Sequence, residues 1–225
     1  MQSNDVLSKA PVTLTLEKSL SSNKVLRNTY MLLAMTLLFS ALTAGVAIAT
    51  KAQPLHWLIT LGGYFGFLFA VTKLRNSAWG LAAVFALTGF LGYTLGPILS
   101  LYLSLPNGSQ VVMTALGGTG VIFLALSAYA LVSRKDFSFM AGFLMVGILV
   151  AFLASIAAVL FSLPALSLAV SAMMILLMSG MILWQTSDII HGGETNYIMA
   201  TVSLYISLFN LFTSLLHILG VMSDD

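Results

Sequence analysis

The sequence predicts an all-α integral membrane protein, a bundle of seven transmembrane helices. Hydrophobic residues make up 59% of the chain and charged residues 7%, with a mean hydropathy of +1.02. Such values are typical of chains that use lipid as their solvent. No charged side chain lies between Asn76 and Ser133, and none lies between Phe137 and Ser187. A water-soluble domain needs charge on its surface, so these two stretches exclude a soluble fold.

Seven apolar segments are long enough to cross a bilayer. A membrane helix needs about 20 mostly apolar residues to span the hydrocarbon core. A polar tail, residues 1–28, precedes the first segment, and Asn28-Thr29 can cap it. The membrane domain then covers residues 29–222. Cuts at charges, prolines and turn residues place the helices at residues 29–50, 53–72, 77–103, 110–133, 137–161, 164–187 and 196–220.

The breaks between the segments have recognisable turn chemistry. Pro54 opens the second helix, and Pro106-Asn107-Gly108 is a turn between the third and fourth. Pro164 suits the first turn of the sixth helix, and Thr195-Asn196 can cap the seventh. No short apolar core with a cleavage site precedes the first helix, so we expect an uncleaved signal-anchor.

Basic residues predict the orientation. Of the nine Lys and Arg residues, only Lys51 falls on the side opposite the tail. Cytoplasmic loops carry an excess of Lys and Arg. The sequence therefore predicts a cytoplasmic N-terminus and, after seven crossings, a C-terminus outside.

Two glycine pairs predict close helix packing. Gly62-x-x-x-Gly66 lies in the second helix and Gly92-x-x-x-Gly96 in the third. Small residues allow helix backbones to approach in a membrane, where no hydrophobic force drives association.

The seventh helix carries a polar stripe at helical period. Its members are separated by four, three, four and three residues, so they share one face. Lipid cannot satisfy such a face, which must therefore contact protein or water. Two interpretations stay open, hydrogen bonding to neighbouring helices and the lining of a polar pathway. The stripe consists of Ser203, Ser207, Asn210, Ser214 and His217.

The end of the sixth helix is the second candidate site. Asp188 and Glu194 lie there, and Lys73 or Arg75 could pair with them as a gate at a cytoplasmic mouth. The alternative is a solvated loop with a helix cap. The motifs of phosphate-binding, metalloprotease and serine-hydrolase sites are missing. No cysteine is present. We therefore expect no enzyme activity and no cofactor, and regard a hydrolytic pair of Ser214 and His217 as unsupported.

Several motifs in order along the chain resemble the Bax inhibitor-1 family, and in particular its gammaproteobacterial branch. The likeness covers roughly residues 22–222 and rests on the run Gly89–Pro97, the loop Arg134–Phe139, and the stretches His191–Tyr197 and Ser203–Phe212. The resemblance implies seven helices with the last one central, wrapped by the other six.

The family resemblance also implies two possible functions. In the gammaproteobacterial branch it implies binding to the membrane-anchored protease FtsH in the bacterial inner membrane, with slower degradation of membrane proteins. FtsH would pull on the tail, Met1 to Asn28, while the bundle resists extraction. Other members form a pH-sensitive calcium leak gated by two aspartates. A purely structural membrane protein is a third possibility, and no nucleic-acid partner is expected.

The positions of the two family aspartates are occupied here by Gln185 and Ser207. Neither side chain can titrate, and coupled carboxylates are what a proton-sensitive gate requires. Counting from the 192–193 turn separates the two positions by about 12 Å in depth, so they meet only if the helical hairpin is asymmetric. A hard cation such as calcium prefers carboxylate oxygens. The sequence therefore favours the protease modulator over the calcium leak.

Overall fold

The computed structural model describes the backbone of residues 5–223 and the side chains of residues 22–223. Seven helices in this range are long and apolar enough to cross a membrane, which confirms the predicted all-α membrane class. A short 3-10 helix, Ser138–Met140, precedes the fifth. The helices are α1 (Asp5–Ala49), α2 (Trp57–Leu74), α3 (Trp79–Leu103), α4 (Gly108–Ser133), α5 (Ala141–Leu160), α6 (Pro164–His191) and α7 (Tyr197–Ser223).

Helix α1 extends well beyond its membrane segment. The membrane-spanning part is Ser22–Ala49, but the same helix begins at Asp5. The segment from Val12 to Ala49 contains no proline and only one glycine, so nothing in it favours a helix break. The cap expected at Asn28-Thr29 is therefore absent, and most of the predicted tail continues the first membrane helix. Residues 1–4 lie outside the described part.

Helix α7 lies at the centre of the bundle. It contacts α1, α2, α3, α4 and α6, whereas α5 contacts α6 and the 3-10 helix. Five helices, rather than the expected six, therefore surround α7. Its buried side chains include Leu204, Tyr205 and Leu211, each at most 1% exposed. The last helix of the chain thus supplies much of the core against which the others pack.

Helix α3 packs closely on α1 through the second glycine pair. A Cβ atom added to Gly92 would meet the carbonyl oxygen of Ser40, and one added to Gly96 would meet the Cβ of Ala47. The sequence-based expectation is therefore confirmed for this pair. At these two positions only a glycine lets the helix backbones approach so closely.

The packing prediction for the first glycine pair was wrong. No atom lies within 4 Å of a Cβ placed on Gly62 or Gly66, whereas a Cβ on Gly63 would meet the ring of Phe90. Helix α2 lies at the edge of the bundle and packs mainly on α3. Its single narrow contact face passes through Gly63, and the pair therefore points away from the protein.

The bundle has two chemically different ends. At one end lie the α2–α3, α4–α5 and α6–α7 loops, with the cations Lys73, Arg75, Arg134 and Lys135 all exposed. We call this the basic end. Lys51 lies at the opposite end, which we call the far end. The candidate sites of the sequence analysis fall along α7 and at the basic end.

Candidate functional site

The polar stripe of α7 is turned towards the interior of the bundle. Ser207 is 1% exposed and Ser214 is 8% exposed, while Ser203, Asn210 and His217 are half-buried. Lipid-facing positions could not hold five polar groups at this depth. The structure therefore places all five residues where protein groups can reach them.

Much of the stripe is satisfied by short hydrogen bonds within the protein. The Ser207 hydroxyl is 3.0 Å from the carbonyl oxygen of Ser203, and the Asn210 amide donates to the carbonyl of Ile206 at 2.8 Å. Such bonds to the preceding turn satisfy polar side chains in membrane helices. His217 Nδ1 lies 2.8 Å from the hydroxyl of Ser171 on α6. This partner replaces Ser214, which the sequence had offered as the residue beside His217.

Gln185 and Ser207, the two positions to which the resemblance assigned the family aspartates, are neighbours. Ser207 Oγ lies 3.3 Å from Gln185 Oε1, and both residues are buried. The two residues meet because the hairpin is asymmetric, the condition that the sequence count had set: residues 192–196 are not helical. Helix α7 begins only at Tyr197, so five residues counted as helix overstated the depth by about 7 Å. The pair therefore forms an uncharged link between α6 and α7.

A second buried link joins three helices and was not predicted. The Tyr205 hydroxyl lies 2.6 Å from Ser40 Oγ on α1 and donates to the carbonyl oxygen of Thr88 on α3 at 3.3 Å. Tyr205 is 1% exposed. The available signal was a tyrosine in the middle of a membrane helix, because tyrosine usually lies at the bilayer interface.

At the basic end, the last turn of α6 is bonded to the α4–α5 loop. Ser187 Oγ accepts the N–H of Phe137 at 3.1 Å and donates to the carbonyl oxygen of Lys135 at 3.0 Å. His191 Nε2 lies 3.1 Å from the carbonyl oxygen of Arg134. Helix α6 ends at His191, and the following Gly192 has a φ of 77°, the left-handed conformation that glycine adopts readily.

Asn196 connects α7 to the α2–α3 loop. Its Oδ1 accepts the N–H groups of Ile198 and Met199 at 3.0 and 3.2 Å, which makes it the predicted N-terminal cap of α7. Its Nδ2 donates to the carbonyl oxygen of Arg75 at 3.1 Å and to Asn76 Oδ1 at 2.9 Å. One side chain therefore fixes both the start of the central helix and its contact with a neighbouring loop.

The charged residues proposed for a mouth do not converge as a gate. Glu194 accepts the N–H of Asn196 at 2.7 Å, and the half-buried Asp188 carboxylate lies against Gly193. Arg75 contacts this region through its backbone carbonyl, with its side chain exposed like that of Lys73. The arrangement favours the alternative interpretation, a capped loop.

Asp136 is the loop carboxylate whose titration the structure perturbs. A hydrogen bond from the N–H of Ser138, with a smaller contribution from the charge of His191, lowers the pKa of Asp136. The N–H of Ser138 donates to its carboxylate at 2.8 Å. Among residues 22–223, no three His, Asp or Glu side chains come together as a possible metal site.

Two open clefts lie at the far end. One, of about 270 Å³, is lined by polar and apolar residues of α4 and α7, among them Gln110, Thr114 and Ser223. The other, of about 430 Å³, lies beside Lys51 and Pro97. Neither is lined by a stripe residue, so the stripe does not open into these clefts.

Comparison with known proteins relates this architecture to a family. The protein-family model described as "Inhibitor of apoptosis-promoting Bax1" matches residues 22–224 of this chain. The chain is 53% identical over 206 residues to the "Modulator of FtsH protease YccA" of Escherichia coli strain K12, covering 92% of this chain and 94% of the relative. It is also 53% identical over 201 residues to an uncharacterized protein of Pseudomonas aeruginosa, covering 89% and 90%. A membrane protein of Vibrio cholerae is 46% identical over 214 residues, covering 95% and 96%.

Proposed function

This chain belongs to the Bax inhibitor-1 family, and from that premise we propose that it binds the membrane-anchored protease FtsH and slows its degradation of membrane proteins. The observation that carries the proposal is the similarity to the Escherichia coli modulator, which extends over nearly the full length of both chains. The role needs no catalytic group and no cofactor, and the partners are the protease and the lipid bilayer.

The geometry of α1 supports a physical mechanism. The helix runs without interruption from Asp5, outside the membrane segment, to Ala49 at its other side. A force applied to the N-terminal part is therefore transmitted along a continuous helix to the membrane-spanning part. A flexible tail would instead extend before the bundle felt the load.

The bundle then resists extraction because α1 is fixed to the core at several depths. Thr201 Oγ1 on α7 lies 3.2 Å from the carbonyl oxygen of Thr29, and Ser40 bonds to Tyr205. The close contact with Gly92 and Gly96 of α3 lies further along. Removing α1 would break all these contacts together. A protease that engages the tail would stay occupied, and other substrates would be degraded more slowly.

The proposed orientation follows from the basic end. Positive residues favour the cytoplasmic side, so we place the α1 extension and the α2–α3, α4–α5 and α6–α7 loops in the cytoplasm. The C-terminus then lies in the periplasm, and the membrane is the bacterial inner membrane. A relative in another Escherichia coli strain is named "Inner membrane protein YccA".

The test is a reconstituted degradation assay. FtsH and a labelled membrane substrate are placed in liposomes, this protein is titrated in, and the rate of substrate loss is measured. We expect a dose-dependent slowing that disappears when residues 2–18 are deleted. The matched control replaces the same residues with a glycine-serine segment of equal length, which keeps the length but removes the helix. Thermal unfolding of each variant checks that the bundle remains folded.

Two results would contradict the proposal. An unchanged degradation rate with the full-length protein would refute the modulator function itself. Full protection by the truncated, folded protein would refute the α1 mechanism alone. No observation favours a calcium leak in its place, because Gln185 and Ser207 form an uncharged link where carboxylates would be required.

A further inference from the structure

The larger cleft at the far end lies between the α1–α2 loop and the last turns of α3. Its volume is about 430 Å³, and most of its surface is apolar. We call it the Lys51 cleft. The loop contributes Lys51 and Pro54 to its lining, and α3 contributes Pro97, Ile98, Ser100 and Leu101.

The Lys51 cleft begins at the membrane surface and reaches into the hydrocarbon region. Lys51 lies two residues beyond the membrane-spanning part of α1. Pro97 lies six residues before the end of α3 at Leu103, which places it about 9 Å deeper along the helix. Ile98 and Leu101 are 45% and 68% exposed. At this depth the surrounding solvent is lipid, so an acyl chain is the natural cover for this wall.

The backbone fixes the position of Lys51 at the mouth of the cleft. Its N–H donates to the carbonyl oxygen of Ile48 at 3.0 Å, and the N–H of Ala52 donates to the carbonyl oxygen of Ala47 at 2.9 Å. These two bonds form a Schellman motif, in which glycine is the usual residue at the position of Lys51. Lys51 has the corresponding left-handed φ of 51°. A glycine would make the same two bonds, so the motif itself does not require a lysine side chain.

The charge of Lys51 is not balanced by a carboxylate in the described part of the chain. The acidic side chains among residues 22–223 are Asp136, Asp188 and Glu194, and all three lie at the basic end. The Lys51 side chain is exposed. A lysine at a membrane surface attracts anionic headgroups by about fivefold. The hydroxyl of Ser100, in the same cleft, can donate a hydrogen bond to a phosphate or ester oxygen.

We propose that the Lys51 cleft binds one anionic phospholipid from the leaflet at the far end. Its phosphate lies at the Lys51 ammonium, and an acyl chain lies along α3 against Ile98 and Leu101. The apolar wall selects a lipid, and the cation selects a negative headgroup. A partner helix fits less well, because the cleft follows α3 for only about 9 Å, whereas a membrane helix spans about 30 Å. This inference does not rest on the proposed function.

The experiment maps where lipids contact the full-length protein. The protein is reconstituted in phosphatidylcholine bilayers with a small fraction of phosphatidylglycerol that carries a photoreactive diazirine in one acyl chain. A parallel sample contains the same fraction of diazirine-labelled phosphatidylcholine. After irradiation, mass spectrometry quantifies the lipid adducts on residues 97–101. The reference is the exposed end of α5, residues 156–160, which lies at the same end of the bundle.

We expect the ratio of phosphatidylglycerol to phosphatidylcholine adducts to be about fivefold higher at residues 97–101 than at the reference. In Lys51→Gly the ratio should fall to the reference value. Glycine suits the left-handed backbone at this position, so the variant keeps the end of α1 and loses only the cation. Lys51→Arg should keep the enrichment. The matched control is Lys73→Gln, which removes an exposed lysine at the basic end and should leave the ratio unchanged.

Three results would overturn the proposal. Equal ratios at the two segments of the unmodified protein would show that the cleft does not select a negative headgroup. Enrichment that persists in Lys51→Gly would show that Lys51 does not bind the phosphate. Strong adducts on α5 with none on residues 97–101 would show that something other than lipid covers the cleft.

Discussion

Replacing Gly92 with alanine is expected to destabilise the bundle by about 2 kcal/mol, within the range measured when extra carbon is forced into a packed interior. The new Cβ would meet the carbonyl oxygen of Ser40 and the hydroxyl of Thr43, with Ser40 Oγ at 2.7 Å. A backbone carbonyl cannot rotate out of the way. Helices α1 and α3 would have to separate, which also strains the bond from Ser40 to Tyr205.

The same substitution at Gly62 provides the matched control. Gly62 is also the first glycine of a Gly-x-x-x-Gly pair in a membrane helix, but no atom lies within 4 Å of its Cβ position. The chemical change is identical in the two variants, and alanine favours a helix slightly over glycine at both positions. Any difference between the variants therefore reports the contact between α1 and α3.

The measurement is the unfolding equilibrium of both variants in lipid bicelles. The unfolded fraction is monitored by trapping the unfolded state. A loss of about 2 kcal/mol corresponds to a roughly 30-fold change in the unfolding equilibrium. Gly92→Ala should show that change, and Gly62→Ala should stay within about 0.5 kcal/mol of the wild type. Equal stabilities would show that the α1–α3 contact does not hold the bundle together. If the extraction mechanism is right, FtsH should also degrade Gly92→Ala faster than Gly62→Ala.

The other predictions concern the two buried hydrogen-bonded links. Tyr205→Phe should destabilise the bundle by about 1 kcal/mol in the same unfolding assay, because Ser40 loses its partner across the helices; an unchanged equilibrium would mean that this contact contributes nothing. The double variant Gln185→Asp, Ser207→Asp tests the rival leak hypothesis: if these positions gate a leak, the variant should create a pH-dependent cation flux in proteoliposomes, since carboxylates so close together share a proton and one pKa is raised. Absence of flux in the folded double variant would count against a pore at these positions.

The sequence was sufficient for the fold class because lipid imposes a requirement on composition. Each membrane-spanning segment must be apolar and about 20 residues long. Both properties can be recognised in the sequence without knowing which other helices the segment contacts. The first residue of α1 could not be predicted from the sequence in this way. Polar residues such as Asn28 mark the end of an apolar run, but a helix that leaves the membrane can continue through them, and α1 begins at Asp5.

Contacts between helices were harder to predict than the faces that make them. The spacing of the polar residues placed the α7 stripe on one face of the helix. That spacing contains no information on the position of α7 along the axis of α6. That shift pairs Ser207 with Gln185 and His217 with Ser171. The Gly62 pair failed for a related reason, because a glycine motif indicates that a helix can approach closely without saying whether a partner is present.

The central position of α7 has a consequence for biosynthesis. The ribosome releases α7 after the other six helices, yet α1, α2, α3, α4 and α6 all pack against it. Until α7 enters the bilayer, the other helices are only partly assembled. Their inward-facing hydroxyl groups then lack the hydrogen-bond partners that α7 supplies. A message that stops before α7 would therefore yield a product without its core, however many spans it retains. Synthesis of α7 is therefore the step that completes the bundle.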